Sequence, residues 1–291
     1  MYEQSVQSTV LTQLSTRRRL VKKYIDGETK EQRKARKELE KAQKSVEIPK
    51  KLPQKSVEDK YYVLCLKHGT KYSADYVNKL YNMVKRHCTL DYEFVCLTEN
   101  PSDINEEITI KPLPTGLTGW WCKPYIFSNQ LELNGVVLYI DLDVVISNNI
   151  DHLFTYAPDS WCTIRDFTRA QRPDWNRYNS SVIRFKTGQL NFVWEEFFKK
   201  KNTVQAKYYG DQDYLYAITV NNPAKLYPDE WIQSWKWEIR SDKTLAPGAR
   251  GNRQLKNIEN VIPNKECCIA VFHGDPNPHN CYDPWVVDNW Q

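Results

Sequence analysis

The sequence predicts an α/β fold: one domain with a mostly parallel central sheet, preceded by a helical, basic N-terminal extension. Three observations carry this expectation. From residue 61 onward, short apolar runs alternate with helical periodicities, the pattern of strands joined by crossover helices. The run at residues 136–140, VVLYI, is continuously apolar and β-branched, as in a strand buried on both faces. Charge is also partitioned. Residues 1–60 hold 16 Lys+Arg against 9 Asp+Glu, whereas the remainder holds 25 against 27. The overall charge of +5 therefore belongs to the first segment.

Taken in order, residues 1–47 read as helix. Val6, Val10 and Leu14 recur at i+4 spacing, as do Leu20 with Tyr24 and Val21 with Ile25. Residues 28–47 are charged nearly all round, so such a helix is solvated or docks weakly. Two prolines in IPKKLPQ (residues 48–54) end it. The expected boundary gives an extension of residues 1–55 and a domain of residues 56–291. Within the domain, YYVLCL (61–66) reads as a buried strand. A helix follows at 72–87 through Tyr76, Leu80 and Val84. YEFVCL (92–97) is a second strand and 108–111 a short third. A helix is expected at 120–133, then the strand at 136–140. Beyond it, strands are expected near 161–165, 180–186 and 268–273, and helices near 191–200 and 211–218. There is no internal repeat.

Composition narrows the class. With 291 residues, 41% hydrophobic and 13% aromatic, the chain can bury one sizeable core. No apolar run approaches the roughly 20 residues that span a bilayer. The start MYEQSVQSTVLTQL lacks a charged segment followed by an apolar one, so no secretory leader and a cytoplasmic location are expected. None of the eight cysteines forms a CxxC pair, which argues against structural zinc and for reduced thiols. The tryptophans of WIQSWKW (231–237), with Trp285 and Trp290, are read mainly as core packing.

The local signal for chemistry is Asp141-Leu142-Asp143, directly after VVLYI. On an extended chain, positions i and i+2 face the same side, so both carboxylates point to one place and Leu142 turns to the core. The carboxyl ends of parallel strands form the ligand crevice. Two carboxylates there suit a hard divalent cation, Mn²⁺ or Mg²⁺, which in turn neutralises a diphosphate. Such a triplet also arises by chance. Asp211-Gln212-Asp213 is a second one, separated from the first only by its placement.

Five segments, in order, resemble the GT-A fold glycosyltransferases, in particular the family 8 and capsular-type branches. They are Trp120-Trp121-Cys122-Lys123-Pro124-Tyr125; the strand and triplet VVLYIDLDVVISNNIDHLF; Tyr178-Asn179-Ser180-Ser181-Val182, similar to an "N-[AS]-G-V" strand; Gly210-Asp211-Gln212-Asp213; and Val271-Phe272-His273-Gly274, similar to an "H-[FY]-x-G" region. The resemblance spans about residues 61–279 and implies a Rossmann-like nucleotide-sugar-binding domain that transfers a sugar from a nucleotide-sugar donor. It implies Asp141, Asp143 and His273 as metal ligands, with Asp141 also near the ribose and sugar hydroxyls. Lys123 would serve the diphosphate or a site aspartate. Asn179 and Ser180 would bind the sugar, with Asp166 a looser candidate. Asp211 and Gln212 would stand beside the reacting carbon, and Leu66, Lys67 and Tyr72 would face the base. UDP is the default donor nucleotide and retention the implied stereochemistry. An inverting reaction, with Asp211 or Asp213 as base, stays open. Plain alternatives exist for each residue: His273 closing a core strand, Lys123 on a surface, Asp211 as a helix cap.

One departure stands out. The family's lysine after its C-terminal glycine touches the phosphates, but Gly274-Asp275-Pro276-Asn277-Pro278-His279-Asn280 has none. His279 or Asn277, with Gly274, remain the candidates on that loop, or Lys123 suffices. The acceptor is open among a glycan, a protein and a modified DNA base. The basic extension admits nucleic-acid binding or self-association as alternatives. A sugar nucleotidyltransferase is a further one, disfavoured by a single glycine in Lys67-His68-Gly69-Thr70.

Overall fold

Side-chain alternation decides how the central sheet is covered. In this computed structural model, residues 60–240 and 262–291 are described. The expectations for residues 1–55, including the basic arm, its helices and any oligomer built on them, lie outside the described residues. Strand β1 (Lys60–Lys67) sends Tyr62 and Leu64 to one face and Val63 and Cys65 to the other. β2 (Tyr92–Thr98) and β4 (Gly135–Ile140) alternate likewise, so the sheet separates two cores.

The order is β3-β2-β1-β4-β7-β6-β8, with β3 (Thr109–Pro112), β6 (Cys162–Arg165), β7 (Tyr178–Lys186) and β8 (Lys225–Leu226). β1 pairs in parallel with both β2 and β4, while β7 alone runs against its neighbours β4 and β6. The expected mostly parallel sheet is thus present. On one face lie helix α1 (Ala74–His87) and a small sheet of β5 (Val144–Ile146), β10 (Ile269–Val271) and β9 (Ile232–Ser234). The short helices α2 (Asp151–Thr155) and α5 (Pro284–Asn289) pack there too. On the other face lie α3 (Asn191–Lys207), α4 (Asp211–Ile218) and a 3₁₀ segment, Gly119–Phe127.

That 3₁₀ segment corrects one expectation. The helix read over 120–133 is not α-helical. Pro124 inside it has no N–H to donate, and the tighter winding stops at Ser128 before a second short turn, Asn129–Leu131. The helix read as 191–200 instead runs to Lys207, past a non-helical Lys200, because the polar continuation after the lysine run hides its periodicity. The terminal strand read at 268–273 shortens to β10 and belongs to the small sheet, whose three-residue strands are too brief to show a period. Trp235 stacks between Phe272 and Trp285, at centroid distances of 5.4 and 5.3 Å, as core packing. All eight cysteines are buried and unbridged. No helix among the described residues is long and apolar enough to cross a membrane.

Candidate active site

The ladder between β4 and β7 continues one residue past the strand, because the Asp141 N–H donates to the Ser181 carbonyl at 2.8 Å. The extended backbone leaves Tyr139 and Asp141 on one face, and the Tyr139 hydroxyl donates to Asp141 Oδ1 at 2.6 Å. Leu142 turns into the core as expected. The next carbonyl, that of Asp143, accepts the Phe272 N–H at 2.8 Å, which ties the triplet to the end of β10. Asp143 Oδ2 accepts a 2.8 Å hydrogen bond from the hydroxyl of Tyr72, in the loop between β1 and α1.

Lys123 reaches this place from the 3₁₀ segment. Its Nζ lies 3.0 Å from Asp141 Oδ1, 3.5 Å from Asp211 Oδ2 and 3.1 Å from Ser180 Oγ. The side chain is 13% exposed. Burial pulls the ammonium's pKa down, but the Asp141 and Asp211 carboxylates outweigh it and hold the pKa above the ordinary lysine value. Ser180 Oγ donates to Asp211 Oδ2 at 2.6 Å. Beside it, Asn179 Nδ2 donates to Gln212 Oε1 at 3.5 Å, and Gln212 Nε2 to Asp166 Oδ2 at 3.4 Å. The end of β4, the start of β7, the start of α4 and the 3₁₀ segment thus bring Lys123, Asp141, Ser180 and Asp211 into one hydrogen-bonded group, with Asn179 and Gln212 as an adjoining pair.

Asp143 is the strained member electrostatically. Burial and the Asp141 charge push its pKa up to about 6, against the pull of the Tyr72 hydroxyl and of Lys71 and Lys123. Tyr72 is itself pushed above the ordinary phenol value by burial and by Asp143, so it remains a donor. Asp141 and Asp143 are the pair with which this chain could hold a hard cation.

The structure does not add His273 to that pair. Among the described residues no cluster of three metal-ligating side chains forms. His273 Nε2 instead lies 2.6 Å from Ser234 Oγ, and its ring stacks on Phe167 at 5.4 Å. The pattern H-[FY]-x-G, aligned on Gly274, explains the difference: Val271 stands where the pattern has histidine, and it pairs with Val144 in the small sheet. Burial and the Lys236 ammonium push the His273 pKa down to about 4 from 6.5. The unfolded chain takes up this proton as pH falls through 6.5, and the folded protein only near 4, so stability is lost as pH falls across that window. At pH 5 the loss is on the order of 1–2 kcal/mol. The melting temperature of His273→Gln is therefore expected to fall less between pH 7 and pH 5 than the wild type's; equal falls would reject this role.

The remaining candidates lie around the group. Lys67, at the end of β1, is buried and donates to the Asn100 carbonyl at 3.3 Å, with Leu66 beside it packed against the core. His279 Nδ1 bonds the Tyr76 hydroxyl, and the Tyr76 ring lies 4.8 Å from that of Tyr72, so the C-terminal loop meets the Tyr72 wall. Gly274 turns at φ +77°. Sequence reasoning passed over Tyr139, Tyr76, Ser234 and Lys236. Only Tyr139 carried a signal, two residues before Asp141 and on the same face.

No protein-family model matches the chain, and no curated protein matches it in sequence. Solved structures do match. The galactosyltransferase LgtC, in complex with donor and acceptor sugar analogues, matches with a TM-score of 0.51 at 10% identity, over 78% of this chain and 93% of that one. An active-site mutant of LgtC gives a TM-score of 0.51 at 11% identity over the same shares. With its mostly parallel seven-stranded sheet, this chain has the GT-A fold of LgtC.

Proposed function

We propose that the chain is a metal-dependent glycosyltransferase that moves a sugar from a nucleotide-sugar to an acceptor hydroxyl with retention, and that a UDP-sugar is the first donor to test. The observation that carries the reading is the aspartate pair just past β4: Asp141 paired with Lys123 beside Ser180 and Asp211, and Asp143 two residues on, bonded by Tyr72. LgtC, a galactosyltransferase solved with donor and acceptor sugar analogues, supports it through the shared fold.

The donor set suits Mn²⁺ or Mg²⁺. Both ligands are carboxylate oxygens, and burial beside Asp141 makes the Asp143 anion costly, a cost that a divalent cation would offset. A bound cation would neutralise the donor diphosphate and take up charge developing on the leaving phosphate. The chain's own groups do the rest. Lys123 and Tyr139 fix the direction of the Asp141 carboxylate. Asn179 and Ser180 face the donor sugar with hydrogen-bonding groups already oriented by Gln212 and Asp211. Asp211 is engaged by both Lys123 and Ser180, and Gln212 is a neutral amide, so neither is a free base for an attacking hydroxyl. Asp213, exposed in the first turn of α4, is the carboxylate that an inverting reaction would need, so retention rests on the family resemblance. The Gly69 N–H donates to Glu99 Oε1 at 2.6 Å, so the first loop does not offer that amide to a nucleotidyltransferase's triphosphate.

The test is isothermal titration of the protein with UDP, GDP, ADP and CDP and their common sugars, with and without Mn²⁺. Metal-requiring binding of one nucleotide is expected. A folded protein that binds none of them sinks the reading.

A further inference from the structure

The charges around the aspartate pair leave a requirement that the cluster itself does not meet. Asp141, Asp143 and Asp211 bring three carboxylates, and among the described residues the one ammonium within ion-pair distance of any of them is Lys123, shared between Asp141 and Asp211. One divalent cation cancels the two negative charges left over. A diphosphate brings at least two more, and its charge rises as it leaves. A second cation near Asp143 is therefore called for. Lys71 stands nearby but is exposed, with its ammonium over the Tyr72 ring at 4.5 Å, where solvent screens it.

We propose that Lys236 supplies this cation and contacts the departing diphosphate; the proposal rests on the reading of the site as a nucleotide-sugar site. Lys236 lies on the single π-helical turn Trp235–Ile239 that follows β9. Its backbone is fixed on both sides. Trp235 is stacked in the core, the Trp237 N–H donates to Ser234 Oγ at 3.0 Å, and Glu238 is held by buried Arg169 at 2.8 Å. From there Nζ reaches the C-terminal loop and donates to the His273 carbonyl at 3.1 Å. The preceding residue, Phe272, bonds the Asp143 carbonyl, so the ammonium stands one residue along the chain from a direct link to the aspartate triplet.

The ammonium is half-buried, yet among the described residues no carboxylate lies within ion-pair distance of it. Asp275 acts on it only at longer range, and burial lowers its pKa. A charge placed in such surroundings without a partner is unfavourable unless an anion joins it. Gly274 keeps the approach open. A Cβ there would come within 3.4 Å of Nζ, and its φ of +77° disfavours any side chain.

In the reaction, the bond between the anomeric carbon and the β-phosphate oxygen breaks, and its electron pair stays on that oxygen. The acceptor oxygen bonds to the carbon and its proton passes to the released diphosphate. Lys236 stabilises the charge that appears on that oxygen.

The test uses the full chain and inorganic pyrophosphate with Mn²⁺ as the probe, which removes any dependence on the nucleobase. Wild type, Lys236→Ala and Lys236→Arg are titrated with pyrophosphate and with the nucleoside diphosphate selected above, and their melting curves are recorded. Lys236→Ala is expected to bind both at least tenfold more weakly with an unchanged melting temperature, and Lys236→Arg to recover most of the affinity. Affinities within twofold of wild type in Lys236→Ala would overturn the proposal while leaving the donor site standing. A parallel loss of affinity and melting temperature, not rescued by arginine, would also overturn it, by making Lys236 a brace for the His273 loop. If the wild type itself binds neither pyrophosphate nor any nucleotide, the donor-site reading falls first and this one with it.

Discussion

Replacing Asp143 by asparagine is expected to abolish metal-dependent nucleotide binding and to lower kcat/KM by about 10²–10⁴, while leaving the metal-free protein as stable as wild type or more so. The two halves follow from one fact. Burial and Asp141 hold the Asp143 pKa near 6, well above the ordinary value of 3.8. A carboxylate raised in this way is ionised at pH 7.5 at a cost to the fold. The sign follows from proton uptake. Between pH 3.8 and 6 the folded state binds the proton better than the unfolded chain, so this group's contribution to stability falls as pH rises through that window. Above it, the penalty stays near 1–3 kcal/mol. Asparagine removes the charge and keeps an acceptor for the Tyr72 hydroxyl. It cannot hold a dication as a carboxylate does, and loss of that charge stabilisation at the leaving group is worth several kcal/mol, which sets the fold-change. The check is a pair of melting curves in EDTA at pH 7.5, with nucleotide titration and turnover alongside. A variant that is inactive because it melts well below wild type would show that Asp143 is structural, and the metal reading would lose its basis.

Lys123→Met should be the most destabilising single change in the site. The lysine is 13% exposed and faces Asp141 and Asp211. Removing one member of a buried charge group leaves the others unpaired, at about 3–5 kcal/mol. For a domain of this size, each kcal/mol lowers the melting temperature by about 2–4 °C, so a fall of about 6–20 °C is expected. Methionine fills much of the volume, so the loss is electrostatic and not a cavity. The double variant Lys123→Met, Asp211→Asn relieves half of the uncompensated charge and should recover part of the fall. If the single variant melts with wild type, the cluster is more solvated than its geometry indicates. If the double variant melts lower than the single one, Asp211 contributes through something other than the Lys123 pair, and the charge account is wrong.

Much of the scaffold was legible because its signals are local. The apolar runs at 61–66, 92–97 and 136–140 and the helix read at 72–87, observed as Ala74–His87, are marked strongly enough to be read along the chain. The inward turn of Leu142 between the two aspartates was legible for the same reason, since successive side chains of a strand point to opposite faces. The 3₁₀ form of residues 119–127 was not read, because Pro124 and the packing of its aromatics set the winding there.

What the sequence by itself determined was the alternation of strands and helices, the burial of both sheet faces and the pair of carboxylates at the end of a strand. What only the tertiary structure decided was who stands beside that pair. Lys123, Ser180 and Asp211 meet beside Asp141 from three separate elements, His273 turns to Ser234 and Phe167, and Lys236, on a turn after β9, reaches the His273 carbonyl. Those encounters depend on strand order and on the single antiparallel strand β7, which are long-range pairings of backbone that no local period along the chain encodes.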